Sequence, residues 1–444
     1  MIIEFRIKNY RSIKEEISLN MEASGTKSKP EHIAEITTKA GKKYRLLKTA
    51  VIYGPNASGK SNIIRAFWAF RHLVATSSRN DINDLIPVAE PFELDLMTID
   101  QPTEFYLKFI GADMYQYMYK FSVHKTKGII EESLHYYPDK SQHLIFRRKG
   151  RKIIKFDDAL VRHLNINNTV NPKRLLLSEL ANIGEVHWEK LRNYLIYGTA
   201  SLNTAINGMQ QYLTYNAMKI FESDDNESRL IKEKVVNLLK LSDLGIKDVA
   251  IKEQEVFLKA NTDIIDNESI YTGTKKEKRF KIYHTIFEDA KAKGTQEFDL
   301  INQGSAGSLA LLGLSTEIIM ALNSAKGKAL FVDEIDNSLH PKMCKFLINL
   351  FHHPASNPHN AQLIFATHES TLLERNNFRM DQIWITSKDK YGVTDLYSVH
   401  DLDIEGLRED IPFDKWYLSG RFGGLPKINE MDAIYDRLPE LTNG

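Results

Sequence analysis

The sequence predicts an α/β fold: a mixed sheet with a parallel core, an antiparallel β subdomain beside it and an inserted helical subdomain. Three stretches carry that prediction. In "TAVIYGPNASGKSNIIRAF" a short apolar run, a glycine loop and a helical periodicity follow one another. "KALFVDE" and "QLIFATH" are two more apolar runs, each too short for a helix and each ending on ionisable side chains. Strands buried on both faces of a parallel sheet read this way, with polar groups where the chain leaves the sheet.

The remaining elements follow in chain order. Ile3, Phe5 and Ile7 alternate with Glu4, Arg6 and Lys8, which gives a half-buried strand opening an N-terminal lobe over 1–148. Residues 20–45 are polar and Lys-rich and lead into the strand before the glycine loop. Between about 88 and 147, "EFYLKFI", "YQYMYKFSV" and "HLIFRRK" are aromatic and β-branched and are broken by "GAD" and "YPDK", the pattern of an antiparallel sheet. Over 149–298 the pattern changes. "LLLSELANI", "VHWEKLRNYLIY" and "RLIKEKVVNLLKL" read as amphipathic helices, with "DDNES" and "TGTKKEKRFK" as exposed joints, so this region is expected to be a mainly helical insertion. Residues 299–444 form the C-terminal lobe. No heptad pattern is sustained and no internal repeat is present.

Composition bounds the function classes. The 444 residues allow a sizeable core and more than one domain. With 59 basic against 58 acidic residues the formal charge is +1, so no global field marks a polyanion partner. The single cysteine, Cys344, excludes an internal disulfide framework and fits a reducing compartment, where it reads as a small hydrophobe on a helix. No run of 18 or more apolar residues occurs, and the N-terminus carries charge from its fourth residue. The expectation is a cytoplasmic chain without a membrane anchor.

Chemistry concentrates at the three strand ends. Gly54, Gly59, Lys60 and Ser61 stand in the spacing G-x-x-x-x-G-K-[ST], with Pro55, Asn56, Ala57 and Ser58 between the glycines and Asn62 after them. Glycines let backbone N–H groups close on phosphate oxygens, and the helix that follows directs its positive end at them. Lys60 is placed to reach β- and γ-phosphates, and the Ser61 hydroxyl to hold Mg2+. Adjacent carboxylates at the end of a buried strand are costly unless they meet a cation. Asp333 is therefore read as orienting Mg2+ and Glu334 as the general base for an attacking water. His368 ends the third strand, about one helical crossover after the carboxylates, where it is read as bonding the γ-phosphate or the attacking water. Leu372 breaks H-E-x-x-H, which excludes a zinc-protease reading, and "FHHPASNPH" reads as a loop. In "NQGSAGSLALLGLSTEIIMAL", Ser305, Gly307 and Ser308 open a long apolar helix, either as an ordinary N-cap or as a second anion-binding helix start.

The ordered set "GPNASGKS", "SAGS", "LFVDEIDNSLHP" and "FATHES" resembles an ABC-type ATPase head of the SMC and RecF kind. More closely, with "IKNYRSIKEE" at the start and "WYLSGRFGGLPKI" near the end, it resembles the prokaryotic defence ATPases of the RloA, AbiL and AriA group. The resemblance implies ATP and Mg2+ as ligands and a homodimer or higher oligomer of heads around two nucleotides. Ser305 and Gly307 would act on the partner's nucleotide, Asn337 to His340 would form the loop after Glu334, His368 would be the switch histidine, and Arg11 would lie near the phosphates. "GSAGS" departs from the acidic residue and Thr that relatives carry around the serine. The Mg2+-sensing glutamine has Gln116 and Gln142 as candidates.

Relatives of the OLD nuclease group carry a Toprim nuclease after the head. The stretch beyond His368 is too short for one, and Asp401 and Asp403 in "HDLDIEG" read as a solvated turn. The implied function is an ATPase sensor or scaffold in an antiviral system, with a phage protein or nucleic acid as trigger and a separate effector chain, a Toprim-type nuclease among the candidates. The alternative is a RecF-like or SMC-like DNA clamp in repair, for which "KKEKRFK", residues 275–281, is the basic strip, set against its reading as a solvated charged run. A transporter subunit is disfavoured by the long stretch between Ser61 and Ser305.

Overall fold

The computed structural model describes residues 1–157, 169–182, 186–203, 209–242, 245–259, 271–403 and 412–425. Its elements begin with β1 (Ile2–Lys8), β2 (Ile17–Asn20), β3 (Ile33–Thr37), β4 (Lys43–Leu47), β5 (Thr49–Tyr53) and α1 (Lys60–Thr76). Next come β6 (Thr103–Ile110), β7 (Gln116–His124), β8 (Gly128–Tyr137), β9 (His143–Lys149), β10 (Lys152–Phe156), α2 (Leu176–Asn182) and α3 (Val186–Tyr197). The middle holds β11 (Thr199–Asn203), α4 (Met209–Glu222), α5 (Asn226–Leu241), β12 (Ile246–Lys259), β13 (Tyr271–Glu288), β14 (Lys291–Asp299), α6 (Leu300–Gln303) and α7 (Ala306–Asn323). The chain continues through β15 (Ala329–Asp333), α8 (Pro341–His352), β16 (Gln362–Ala366), β17 (Ile383–Lys388), β18 (Thr394–Ser398) and α9 (Phe413–Leu418). Two compact units result, one of Ile2–Arg192 with Ala366–Gly444 and one of Met1 with Asn193–Phe365.

In the first unit, the alternation of Ile3, Phe5 and Ile7 buries one face of β1 within an antiparallel sheet of order β10-β9-β8-β7-β6-β1-β2. The helical spacing after the glycine loop becomes α1, which buries Ile63, Phe67, Phe70 and Val74. Phe67 meets Phe5 edge-on at 5.1 Å between ring centroids, and Phe70 stacks on Phe121 of β7 at 5.4 Å. Aromatic contacts thus fix the helix that starts at the glycine loop to the antiparallel sheet. β5, buried at every residue, runs parallel to β17, which pairs antiparallel with β18.

An ion pair anchors the far end of that sheet. Glu132 of β8 and Arg148 of β9 face one another at 3.1 Å with fully buried side chains. The Glu132 carboxylate also accepts from the Tyr119 hydroxyl at 2.8 Å and from the backbone N–H groups of Leu176 and Leu177 at 2.7 and 3.1 Å. An anion at the start of α2 satisfies donors that the helix leaves open. Burial and the Glu132 charge hold the Tyr119 pKa well above its usual value.

In the second unit β11, β15 and β16 form a parallel ladder, and α8 is the crossover between β15 and β16. α7 is long and apolar enough to cross a membrane by composition alone, but 67% of it is buried, as in a core helix. The expectation of a mainly helical insertion over 149–298 is corrected here. β10 extends the antiparallel sheet, β11 joins β15, and β12, β13 and β14 form an antiparallel ribbon. The ribbon escaped sequence reading because its described outer residues are exposed on both faces, so no apolar alternation marks it. Cross-strand charge neighbours replace that signal: Glu253 lies opposite Lys278 and Glu255 opposite Lys276.

Glu132→Ala leaves Arg148 buried without its carboxylate and is expected to destabilise the chain by about 3–5 kcal/mol. Glu132→Leu combined with Arg148→Met removes both charges but should restore only part of that loss, because the Tyr119 hydroxyl and the N–H groups of Leu176 and Leu177 lose their acceptor. Urea unfolding of the three proteins checks both statements.

Candidate functional site

The glycine loop lies in the first unit. β5 ends at Tyr53, the loop turns through Gly54 to Gly59, and α1 starts at Lys60. Asn56 and Ala57 are exposed, whereas Ser58, Gly59 and Lys60 are buried. Ala57 takes φ 62° and Gly59 φ 112°, both in left-handed space. For alanine that conformation is strained, which is typical of ligand-binding turns. The loop closes on itself: Lys60 Nζ donates to the carbonyls of Gly54 at 2.7 Å and Pro55 at 3.1 Å, and lies 3.4 Å from His368 Nδ1. Folding therefore brings His368, exposed beyond the end of β16, to the loop lysine, 308 residues away in sequence. Gly59 caps α1 and no side chain caps it, whereas Asp225, Ser305 and His340 cap α5, α7 and α8 with their own acceptors. A helix start of this kind suits an anionic ligand.

Two threonines that sequence reading did not single out hold the loop from behind. Thr386 of β17 shares a 2.5 Å hydrogen bond with Ser58 Oγ and donates to Tyr53 O at 3.1 Å. Thr394 of β18 donates to Ser58 O at 2.8 Å and shares a 2.7 Å hydrogen bond with Ser12 Oγ. A Cβ on Gly54 would reach 2.5 Å from Thr386 O, and one on Gly59 would reach 2.6 Å from Thr394 Cγ2. The glycines thus admit neighbouring strands as well as conformational freedom. Their spacing was the available signal that something approaches closely, but the partners sit more than 300 residues downstream and have no motif of their own.

Arg11, at φ 51°, lies beside the first turn of α1. Its guanidinium donates to Glu90 Oε2 at 2.6 Å and to Asn62 Oδ1 at 3.3 Å, and Asn62 Nδ2 donates to Ser12 Oγ at 2.7 Å. Glu90 therefore holds the basic residue expected at the phosphates; its charge, after burial, also pushes the Tyr10 pKa well up. Gln116 is buried in β7 and accepts from the Tyr44 hydroxyl, while Gln142 is exposed in the turn between β8 and β9. Asp401 and Asp403 are both exposed.

The acidic pair lies in the second unit. Asp333 ends β15 and is buried; Glu334 follows at φ 51° and is partly exposed. The turn continues with Asn337 N donating to Glu334 O at 3.0 Å, Ser338 at φ 63° and His340 capping α8 through Lys342 N at 3.1 Å. Ser305 caps α7: its Oγ accepts from Ser308 N at 3.0 Å and shares a 2.8 Å hydrogen bond with Ser308 Oγ. A Cβ on Gly307 would lie 2.9 Å from Ser338 O, so the serine–glycine turn and the loop after Glu334 abut. Left-handed conformations at two non-glycine residues of one turn cost of order 1–3 kcal/mol each and persist where surrounding structure fixes them.

Gly54→Ala drives a methyl group into Thr386 and should destabilise the chain by at least ~1–3 kcal/mol. Pairing it with Thr386→Ser, which keeps the offending oxygens, should leave most of the loss in place. Thermal melts of the single and double variants check this.

Residues 50–374 match the family described as "AAA domain, putative AbiEii toxin, Type IV TA system". No curated protein matches the chain. Among solved structures, the SMC head domain from Thermotoga maritima is similar at 12% identity and TM-score 0.40, covering 89% of this chain and 98% of its own. The recombination mediator protein RecF of the RecFOR pathway is similar in its RecF-ATPrS structure at 14% identity and TM-score 0.34, covering 89% and 98%. The RecF-ATP structure gives 12% identity, TM-score 0.36 and coverage of 89% and 97%. The family match spans well over half of the sequence and includes the glycine loop, the serine–glycine turn, the acidic pair and His368, so the chain belongs to this AAA-domain ATPase family.

Proposed function

We propose that this chain binds and hydrolyses ATP with Mg2+ and acts as the sensor or scaffold subunit of a prokaryotic antiviral defence system, controlling an effector carried on a separate chain. The observation that carries the ATPase reading is the closed loop around Lys60, its ammonium set between two loop carbonyls and His368 at an uncapped helix start. The defence reading is supported by the toxin–antitoxin system named in the family description.

Each residue then has a task. Backbone N–H groups of residues 54–61 take the phosphate oxygens, and Lys60 turns from its carbonyls to the β- and γ-phosphates. Ser61 and Asp333 would hold Mg2+, which would supply positive charge to the transferred phosphoryl group. Glu334, partly exposed and fixed by its left-handed backbone, accepts the proton of the attacking water. His368 donates toward the γ-phosphate, and Arg11 exchanges Glu90 for phosphate oxygen. Two copies close on two nucleotides, with Ser305 and Gly307 of one facing the nucleotide of the other. The exposed start of α7 and the loop after Glu334 abut through Gly307 and Ser338, so closure there bears directly on the base.

No observation favours the repair-clamp alternative. Its basic run, 275–281, is part of β13, and every cation in it has a carboxylate within 4.0 Å. Lys278 pairs with Glu222 at 3.0 Å and Lys281 with Asp299 at 3.2 Å. Cations so neutralised release few counterions on meeting DNA.

Lys60→Ala should abolish ATP binding in calorimetry, while Glu334→Gln should bind ATP and hydrolyse it 10²- to 10⁴-fold more slowly, roughly the contribution of a positioned general base. Parent-like phosphate release by Glu334→Gln would sink the assignment of the base. Co-purification of Glu334→Gln with Mg-ATP from its host should bring down a stoichiometric second protein; nucleic acid alone, lost at high salt, would contradict the effector reading. Ser305→Asn keeps a capping acceptor where Ser305→Ala costs about 1 kcal/mol. If Ser305 acts across the dimer, both variants slow turnover although only the alanine protein melts earlier.

A further inference from the structure

The second unit carries a groove that the nucleotide chemistry does not use. It is a cavity of about 560 Å3 between the last two turns of α5, the end of α7 and the C-terminal half of α8. Leu238, Ile319 and Leu322 are buried at its base, whereas Leu241 and Phe346 remain 74% and 41% exposed on its walls. Scattered exposed leucines are ordinary on protein surfaces. Here they border one concave apolar site, where covering large side chains is favourable.

Charge and length narrow the occupant. Among the described residues no carboxylate lines the groove, and the ionisable side chains of its lining are Lys234 and His353. Lys234 donates to Asn323 Oδ1 at 2.6 Å, linking α5 to the end of α7. Lys240 and Lys345 directly precede Leu241 and Phe346, while Glu233 directly precedes Lys234. The lining stretches of α5 and α8, 234–241 and 346–353, each cover about two helical turns, or roughly 12 Å. That is the reach of an apolar face at i, i+3 or i+4, and i+7 on a docking helix. Two copies meeting groove to groove would set Lys234 and His353 against their own images, which disfavours a symmetric pair.

We propose that this groove docks an amphipathic, acidic helix of another protein: leucine-type anchors fill the cavity and flanking Asp or Glu side chains meet Lys234 and His353. Assigning that helix to the effector chain rests on the function proposed above. Position favours the assignment. α7 starts at Ser305 and α8 is capped by His340, so the groove lies at the far ends of the two helices whose starts carry the serine–glycine turn and the loop after Glu334. An occupant that prefers one packing of α7 on α8 therefore acts on both turns.

The test uses the full chain without nucleotide and two fluorescein-labelled 16-residue helical peptides of leucine, alanine and either glutamate or lysine, leucines spaced i, i+3, i+7, i+10. Anisotropy should show micromolar binding of the glutamate peptide and at least about tenfold weaker binding of the lysine peptide. Leu241→Asp should weaken the glutamate peptide at least about tenfold, and Lys234→Glu should reverse the preference, with melting temperatures of both variants unchanged. Absence of glutamate-peptide binding, or binding indifferent to both substitutions, overturns the proposal. Self-association of the parent chain that Leu241→Asp abolishes in light scattering also overturns it, in favour of a second copy as occupant. Because Lys60→Ala should lose ATP and keep the peptide, failure of the groove and failure of the ATPase reading are separately visible.

Discussion

The close approach of β17 and β18 to the glycine loop is the constraint on which the rest of the first unit depends. Thr386 and Thr394 occupy the volume that side chains at positions 54 and 59 would fill, and their hydroxyls bond Ser58 from both sides. Serine, threonine and backbone groups are thereby satisfied where burial would otherwise be costly. With the loop fixed, α1 must leave it in one direction, and the aromatic contacts of Phe67 and Phe70 then set where the antiparallel sheet lies. The C-terminal glycine turn joins the same assembly: an ideal Cβ on Gly424 would stand 3.8 Å from Gly54 Cα, and the Tyr417 ring lies 5.5 Å from that of Tyr53. Opening and closing segments of the chain, "IKNYRSI" and "SGRFGGL", both converge on a loop that begins at residue 54.

Ala57, Arg11, Glu334 and Ser338 take left-handed backbone conformations in turns that the proposed chemistry uses, while Asn9, Lys29, Met114, Asp289, Ala290 and Asn360 take them elsewhere. Glycine would relieve each of them. Retaining side chains there is consistent with a need for the guanidinium and carboxylate themselves, held at angles that a relaxed turn would not give. Capping tells a complementary story: three of the long helices supply their own acceptors, and α1 does not.

Electrostatics is local throughout. The net charge of +1 hides dense opposite charges that the fold pairs off, in the buried Glu132–Arg148 couple and along the β12–β13–β14 ribbon. The ribbon pairs are mostly exposed and individually weak, but they remove the free positive strip that the sequence alone offered at 275–281. The groove of the second unit is lined, among the described residues, by a lysine and a histidine and no acid.

The sequence by itself determined the parts whose signal is local. Apolar runs such as "TAVIY" and "ALFVD" became fully buried strands, and the glycine spacing, Lys60, the acidic pair and the serine cap at 305 could be read within a few residues, because loop closure and strand burial depend on neighbours in sequence. The long ribbon was illegible since, with solvent on both faces, it carries no apolar period, and β11 was hidden because its five residues, "TASLN", mix polar and apolar types. Tertiary structure alone decided that Thr386 and Thr394 back the loop, that Glu90 holds Arg11, that His368 reaches Lys60 and that cations 275–281 are paired. Apart from Lys275 and Arg279, which pair with Glu277 two positions away in the same strand, those contacts join residues far apart in sequence, and their geometry exists only once strand order and register bring the backbones together.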